Sequence, residues 1–265
     1  YALDLAMQIA KNKEFKITVL HMIDFPVTGV IDPVGVTVPP SYDREFLDML
    51  EDKGEKKMEK FLNQVGDHSN LDVEIEVGNA YAGIADRLRK EDYDLIVMGT
   101  KGTSGMREFF IGSNTEKVVR TAKCPVIAVH EKVKLSHVNQ VVFATSGMEV
   151  SEDLMMHVKE MQHIFNAKLH ILRVNTPNNF RRDRLVRPML EKLAERYMLK
   201  DYTINIYNDI YEEEGIMTFA HQINADMIAL GTHGRKGLAH FIAGSLAEDV
   251  VNHAKKLIWT YHIKE

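Results

Sequence analysis

The sequence is poor in cysteine: Cys124 is the single thiol in 265 residues. One thiol cannot form an intrachain disulfide, so a secreted fold stapled by disulfides is excluded and the cytoplasm is favoured. No stretch approaches the roughly 18 uninterrupted apolar residues of a membrane-spanning helix. Positive charge is not in excess: 33 Lys and Arg stand against 38 Asp and Glu, a formal net charge of -5. With a pI near 6.2, neither nucleic acid nor an anionic membrane is expected as the main partner. Several chemical signatures are also missing. There is no Gly-x4-Gly-Lys-Ser/Thr phosphate loop, no Gly-x-Gly-x-x-Gly fingerprint after a strand, no Gly-x-Ser-x-Gly elbow and no His-Glu-x-x-His pair. Ordinary NTPase, dinucleotide, serine-hydrolase and zinc-protease machinery therefore has no support. No catalytic residue and no metal ligand is assigned. Hydrophobic residues at 45% and charged residues at 27% are ordinary for a globular chain and exclude a disordered or collagen-like one.

What is present is a repeat. Asp94-Leu95-Ile96-Val97-Met98-Gly99-Thr100-Lys101-Gly102 matches Asp226-Met227-Ile228-Ala229-Leu230-Gly231-Thr232-His233-Gly234, an offset of 226 − 94 = 132. The register holds through Ile111-Gly112-Ser113 against Ala243-Gly244-Ser245 and Glu116-Lys117-Val118-Val119 against Glu248-Asp249-Val250-Val251. Such a period is a duplicated domain, with halves at 1–133 and 134–265. Earlier, Lys16 to Met22 resembles Lys168 to Val174 at an offset of 168 − 16 = 152. The first half thus carries 152 − 132 = 20 more residues, in the stretch from Phe25 to about Lys57. Its Pro26, Gly29, Pro33, Gly35, Pro39 and Pro40 predict an irregular loop. At the same offset Tyr1 pairs with Asp153, and the strand-like run Val138 to Thr145 has no counterpart. The first half is therefore expected to lack its leading strand in this chain.

Hydrophobic periodicity alternates strand and helix. The second half predicts strands at Val138–Thr145, Leu169–Val174, Tyr202–Tyr207, Met227–Gly231 and Ile258–His262. Helices are predicted at Glu149–Phe165, Arg184–Met198 (broken or delayed by Pro188), Glu213–Ile223 and Ser245–His253. The first half follows the same series after its first strand. This alternation predicts an α/β fold with a parallel sheet covered on both faces. The unbroken apolar run Leu95-Ile96-Val97-Met98 predicts a strand buried on both sides. Cys124, ahead of Pro125, reads as a small core residue. Arg181-Arg182-Asp183-Arg184 reads as a solvated loop.

Ligands of open parallel sheets bind beyond the C-terminal strand ends, where both halves carry Gly, two residues, Gly, nine residues, Gly-Ser. The residues are Gly99, Gly102, Gly112 and Ser113, then Gly231, Gly234, Gly244 and Ser245. The first two glycines of each set let a tight loop aim backbone N–H groups at an anion. Gly-Ser then opens a helix whose unpaired N–H groups favour phosphate. A structural reading competes, because Ser113 with Glu116 and Ser245 with Glu248 also form capping boxes.

This constellation resembles the universal stress protein family, as two tandem copies over nearly the whole chain. The resemblance implies two flavodoxin-like (adenine nucleotide α-hydrolase-like) domains, each a five-stranded parallel sheet of order 3-2-1-4-5. It implies binding of ATP or a related adenine nucleotide, with or without Mg2+, and a role in stress response. The glycines and serines above would contact phosphate and ribose, while Met22 and Val174 at the second-strand ends would touch adenine. The family has an aspartate after the first strand, where the second half has Ser146, neutral and shorter. Beyond the third strand the first half has the small loop Val77-Gly78-Asn79-Ala80, whereas the second has Asp209-Ile210-Tyr211-Glu212-Glu213-Glu214. The first half is thus expected to be the better nucleotide site, the second structural or tuned to another ligand. The more basic His233, Arg235 and Lys236 would suit phosphate alone. Family members pair through their last strands, which implies a homodimer or an intrachain pseudo-dimer through Pro125–Val129 and Leu257–Tyr261. A slow ATPase is ranked below binding, since no general base with a water-orienting partner is evident. A nucleotide-free interaction scaffold is the other alternative.

Overall fold

A computed structural model of the chain describes residues 1–11, 15–23, 30–31, 37–38, 44–65, 71–100, 113–148, 150–232 and 256–263. They form two compact units, Ala10–Glu91 and Tyr1–Ile9 with Asp92–Glu265. These units do not coincide with the sequence halves, because the strands of the first half are shared between two sheets.

The chain opens with helix α1 (Ala2–Lys11), which buries Leu5 and Ile9. In the smaller unit β1 (Ile17–Ile23) pairs in parallel with β4 (Leu71–Val77), Ile17 opposite Leu71. Between them come a short antiparallel pair, β2 (Val30–Ile31) and β3 (Thr37–Val38), and the helix α2 (Arg44–Val65). The stretch expected to be irregular up to about Lys57 is therefore helical from Arg44 onward. The physical reason is that its prolines all precede residue 44, leaving a Pro-free segment that buries Gly54 and Met58. Helix α3 (Ala80–Lys90) follows β4, and its N-cap Asn79 accepts a hydrogen bond from the Ala82 N–H at 3.0 Å.

The larger unit contains β5 (Ile96–Gly99), α4 (Ser113–Thr121), β6 (Val126–Val129), β7 (Gln140–Ala144), α5 (Glu152–Phe165), β8 (Lys168–Asn175), α6 (Asp183–Arg196), β9 (Tyr202–Asn208), α7 (Glu212–Gln222), β10 (Met227–Thr232) and β11 (Leu257–His262). The helix expected over Ser245–His253 lies outside the described residues. One seven-stranded sheet runs β5-β6-β11-β10-β7-β8-β9. Its second-half part, β9-β8-β7-β10-β11, is parallel throughout and has the order 3-2-1-4-5. Right-handed crossovers require α5 and α6 on one face and α7 on the other. The α7 face buries Val142, Leu172, Val174, Ile228 and Leu230 against Ile216, Met217 and Ala220. The opposite side of the same strands buries Phe143 and Ile171 completely. Each such side chain contributes about 1.5–3 kcal/mol.

Pro188 neither breaks nor delays α6, which runs through it. A proline inside a helix costs about 3 kcal/mol, but Val186, Leu190 and Ala194 form a stripe at four-residue spacing that is at most 1% exposed. Burial of that stripe outweighs the lost hydrogen bond. The run 95–98 departs from its expectation as well: Ile96, Val97 and Met98 are half-buried, whereas Ile228 and Ala229 at the equivalent positions of β10 are fully buried. The cause is pairing, since β10 lies between β7 and β11, while among the described residues β5 pairs with β6 alone.

Strands β6 and β11 pair antiparallel, with Trp259 opposite Ile127. These two residues are themselves equivalent, 259 − 127 = 132 positions apart. The seam is thus centred on a local two-fold relation between the halves.

Candidate functional site

The second half shows how its proposed ligand residues meet. β7 lies between β8 and β10, and the chain leaves β7 toward one side and returns on the other. This is a topological switch point, where the carboxyl ends of the strands open a crevice. Val174 and Gly231 stand at the ends of β8 and β10, and Ser146 follows the end of β7 between them. Gly234, Gly244 and Ser245 lie outside the described residues.

Val174 is only 6% exposed. It is covered by Gly215 of α7, where an added Cβ would come within 2.6 Å of Val174 Cγ1 and 3.1 Å of Asp209 Cβ. Gly231 is also closely packed: a Cβ there would lie 2.6 Å from Leu154 Cδ2 and 2.9 Å from Ile263 Cδ1, so both side-chain ends would have to move. Ser146 is exposed and spends its hydroxyl on its own turn, donating to the Met148 carbonyl at 3.1 Å. The acidic run Glu212-Glu213-Glu214 forms the first turn of α7, where the helix dipole favours negative charge. The Glu212 carboxylate accepts from the Asn179 side-chain amide.

In the first half, Gly99 ends β5 and is exposed. Among the described residues nothing lies within 4 Å of a Cβ built on it, and its φ is not in the left-handed region. Two hydroxyl contacts surround it, one of them to its backbone. Thr115 Oγ1 of α4 donates to the Gly99 carbonyl at 3.0 Å, and Thr100 Oγ1 lies 2.9 Å from His130 Nδ1. The motif did not point to Thr115, whose equivalent position, 132 further on, is Ala247. Ser113 begins α4, and Glu116 of the capping pattern directs Oε1 to Arg120 Nη1 at 3.0 Å. Gly102 and Gly112 lie outside the described residues. Met22 belongs to the other compact unit, half-buried on β1 and facing Gly83 of α3. Gly83 and Gly215 are again 132 apart. In each half, a glycine inside the helix after the third strand lets that helix approach the second-strand residue, a packing role the sequence did not announce.

Burial shifts several titratable groups. Desolvation pushes the Cys124 thiol up to about 11, so it is a core residue and a poor nucleophile. Arg173 of β8 is pulled below its ordinary value by burial and by nearby Arg181, with Glu212 opposing. His21 is lowered by burial and then by Lys57. Arg181, Arg182 and Arg184 are exposed, but the run is loop only through Arg182, because α6 begins at Asp183. Among the described residues no group of three or more His, Cys, Asp or Glu is arranged to hold a metal ion, so Mg2+ finds no protein cage there. No helix among them is long and apolar enough to cross a membrane.

A tandem α/β architecture with a glycine at the equivalent strand end of each half defines a duplicated doubly wound α/β class. Within that class the chain belongs to the universal stress protein family, whose family model matches residues 1–130 and again 137–262. A universal stress protein of Bacillus subtilis (strain 168) is 28% identical over 137 residues, covering 48% of this chain and 88% of that protein. One from Methanocaldococcus jannaschii is 29% identical over 133 residues, 49% of this chain and 73% of that protein. The crystal structure of a universal stress protein from Archaeoglobus fulgidus DSM 4304 superposes with a TM-score of 0.67 at 19% identity, covering 98% of this chain and 93% of that one. That likeness establishes the shared tandem fold.

Proposed function

We propose that this universal stress protein binds ATP or a related adenine nucleotide in its first half (1–133) and uses its second half (134–265) mainly as structure. The observation that carries the reading is the contrast between Gly99 and Gly231. A Cβ at 231 would crowd Leu154 and Ile263, whereas among the described residues neither packing nor backbone conformation demands a glycine at 99. A bare, exposed strand end is what a phosphate-bearing ligand needs for close approach to backbone N–H groups. Gly102, Gly112 and Ser113 would complete the phosphate contacts, with Gly234, Gly244 and Ser245 their counterparts in the second half; Met22 and Val174 are the residues that the family resemblance sets against adenine. Any Mg2+ would arrive on the nucleotide phosphates, as this ion keeps most of its water and takes few protein ligands. In this reading the protein works in the cytoplasm in a stress response.

Native mass spectrometry of the full chain tests this. One adenine nucleotide per chain is expected, lost in Gly99→Val and kept in Gly231→Val. Absence of any bound nucleotide at millimolar ATP would refute it.

A second reading rests on the β6–β11 seam. It makes the duplicated sheet an internal dimer and an interaction scaffold, which nucleotide-independent partner binding would favour.

A further inference from the structure

Arg173 is a charged residue at a core position. It lies on β8 opposite Ile206, is 3% exposed, and has no carboxylate within ion-pair distance among the described residues. A buried cation without a counter-ion is costly unless its protons are used. Four of the five N–H groups sit on the two terminal nitrogens. Nη1 donates to the Ser146 carbonyl, in the turn after β7. Nη2 donates to the Asn179 carbonyl at 3.0 Å, in the turn after β8. Nε is buried with no hydrogen-bond partner among the described residues.

The connections continue from Asn179. Its Oδ1 accepts from the Thr176 N–H at 2.7 Å, and its amide donates to Glu212 at the start of α7. Two residues along the strand from Arg173, the Asn175 carbonyl accepts from the Asp209 N–H at 3.0 Å, and its side-chain amide donates to the Arg181 carbonyl at 3.0 Å. The turns after β7, β8 and β9 are thereby tied into one polar network, with the guanidinium at its buried end. The equivalent residue of the first half is His21, at 173 − 152 = 21. An imidazole has no planar fork with which to hold two carbonyls side by side.

We propose that Arg173 is a positioning residue that braces the ligand end of the second half, holding the turns after β7 and β8 directly and the start of α7 through Asn179, in an arrangement that keeps Val174 covered and nucleotide out. The brace stands on the geometry alone; the exclusion of nucleotide rests on the functional reading given above.

Hydrogen exchange on the full chain, resolved by mass spectrometry, tests the brace. In Arg173→Met, amides of 145–150, 176–182 and 209–214 should exchange about tenfold to a hundredfold faster, the range expected for losing charge-assisted hydrogen bonds. Arg173→Lys should not restore both turns, because one ammonium cannot span both carbonyls. Asn179→Ala leaves the buried charge in place and should loosen 209–214 while sparing 145–150. Acceleration confined to one turn in Arg173→Met, or equal acceleration throughout the chain in all three variants, overturns the brace. Native mass spectrometry with ATP tests the exclusion separately. The count should rise above one nucleotide in Arg173→Met, and a count fixed at one overturns the exclusion. Absence of nucleotide from the unmutated protein defeats the binding reading, while the exchange data still decide the brace.

Discussion

Deleting the Ile127 side chain should destabilise a probe that lies in the other half of the sequence. Ile127 is 1% exposed on β6 and sits opposite Trp259, 2% exposed on β11. Ile127→Ala removes three buried carbons, worth about 0.8 kcal/mol each, and leaves a cavity, so the cost is about 3 kcal/mol. With an m-value of about 2–3 kcal/mol/M in urea, the unfolding midpoint should fall by about 1–1.5 M. Trp259 is the one tryptophan of the chain, so its fluorescence reports this transition without a competing signal. Ile127→Val, losing one carbon, should move the midpoint by about a third as much. If β6 and β11 share one cooperative core, the Trp259 transition follows the substitution made on β6. A Trp259 midpoint within about 0.2 M of the unmutated protein in Ile127→Ala would refute the seam as a structural unit.

Two further outcomes concern glycine and a buried lysine. Gly99→Ala should leave thermal stability unchanged or raised by up to about 1 kcal/mol, whereas Gly231→Ala should cost about 1 kcal/mol by crowding Leu154 and Ile263; calorimetry on both variants checks the contrast. Lys256, 8% exposed, donates to the Ala220 and Ala225 carbonyls at 3.0 and 2.6 Å, and burial holds its native pKa below the ordinary 10.5. Between that depressed value and 10.5 the unfolded chain binds the extra proton, so native stability should rise with pH through this window. Urea midpoints of the unmutated protein minus those of Lys256→Met should therefore increase toward pH 10.5, and a flat difference would contradict the assignment.

The alternation of strand and helix was legible in the hydrophobic periodicity and the 132-residue repeat, whereas the order 3-2-1-4-5 followed from the family resemblance; each second-half strand begins and ends within two residues of its expected limits. Helix α5 starts later than its apolar pattern suggests because Ser151 caps it, accepting from the Leu154 N–H at 3.2 Å. Arg173 was not legible as a site residue. Its charge suggests a solvent-facing position, and only the convergence of two turns from different parts of the chain gives its guanidinium work in the core. The roles of Thr115, Gly83 and Gly215 were hidden for the same reason, since each depends on a partner in another element. Pro188 misled in the opposite sense: local propensity forbade what burial of Val186, Leu190 and Ala194 secures.

The connection from β6 to β7 takes only residues 130–139, and through it both sides of the β6–β11 seam belong to one polypeptide. An interface between separate chains dissociates on dilution, but here each last strand meets its partner at an effective concentration set by the tether, on the order of millimolar for a short flexible link. The paired arrangement should therefore persist at any protein level in the cell. It also fixes a one-to-one ratio between two surfaces free to diverge, so that one half can keep a ligand while the other gives it up.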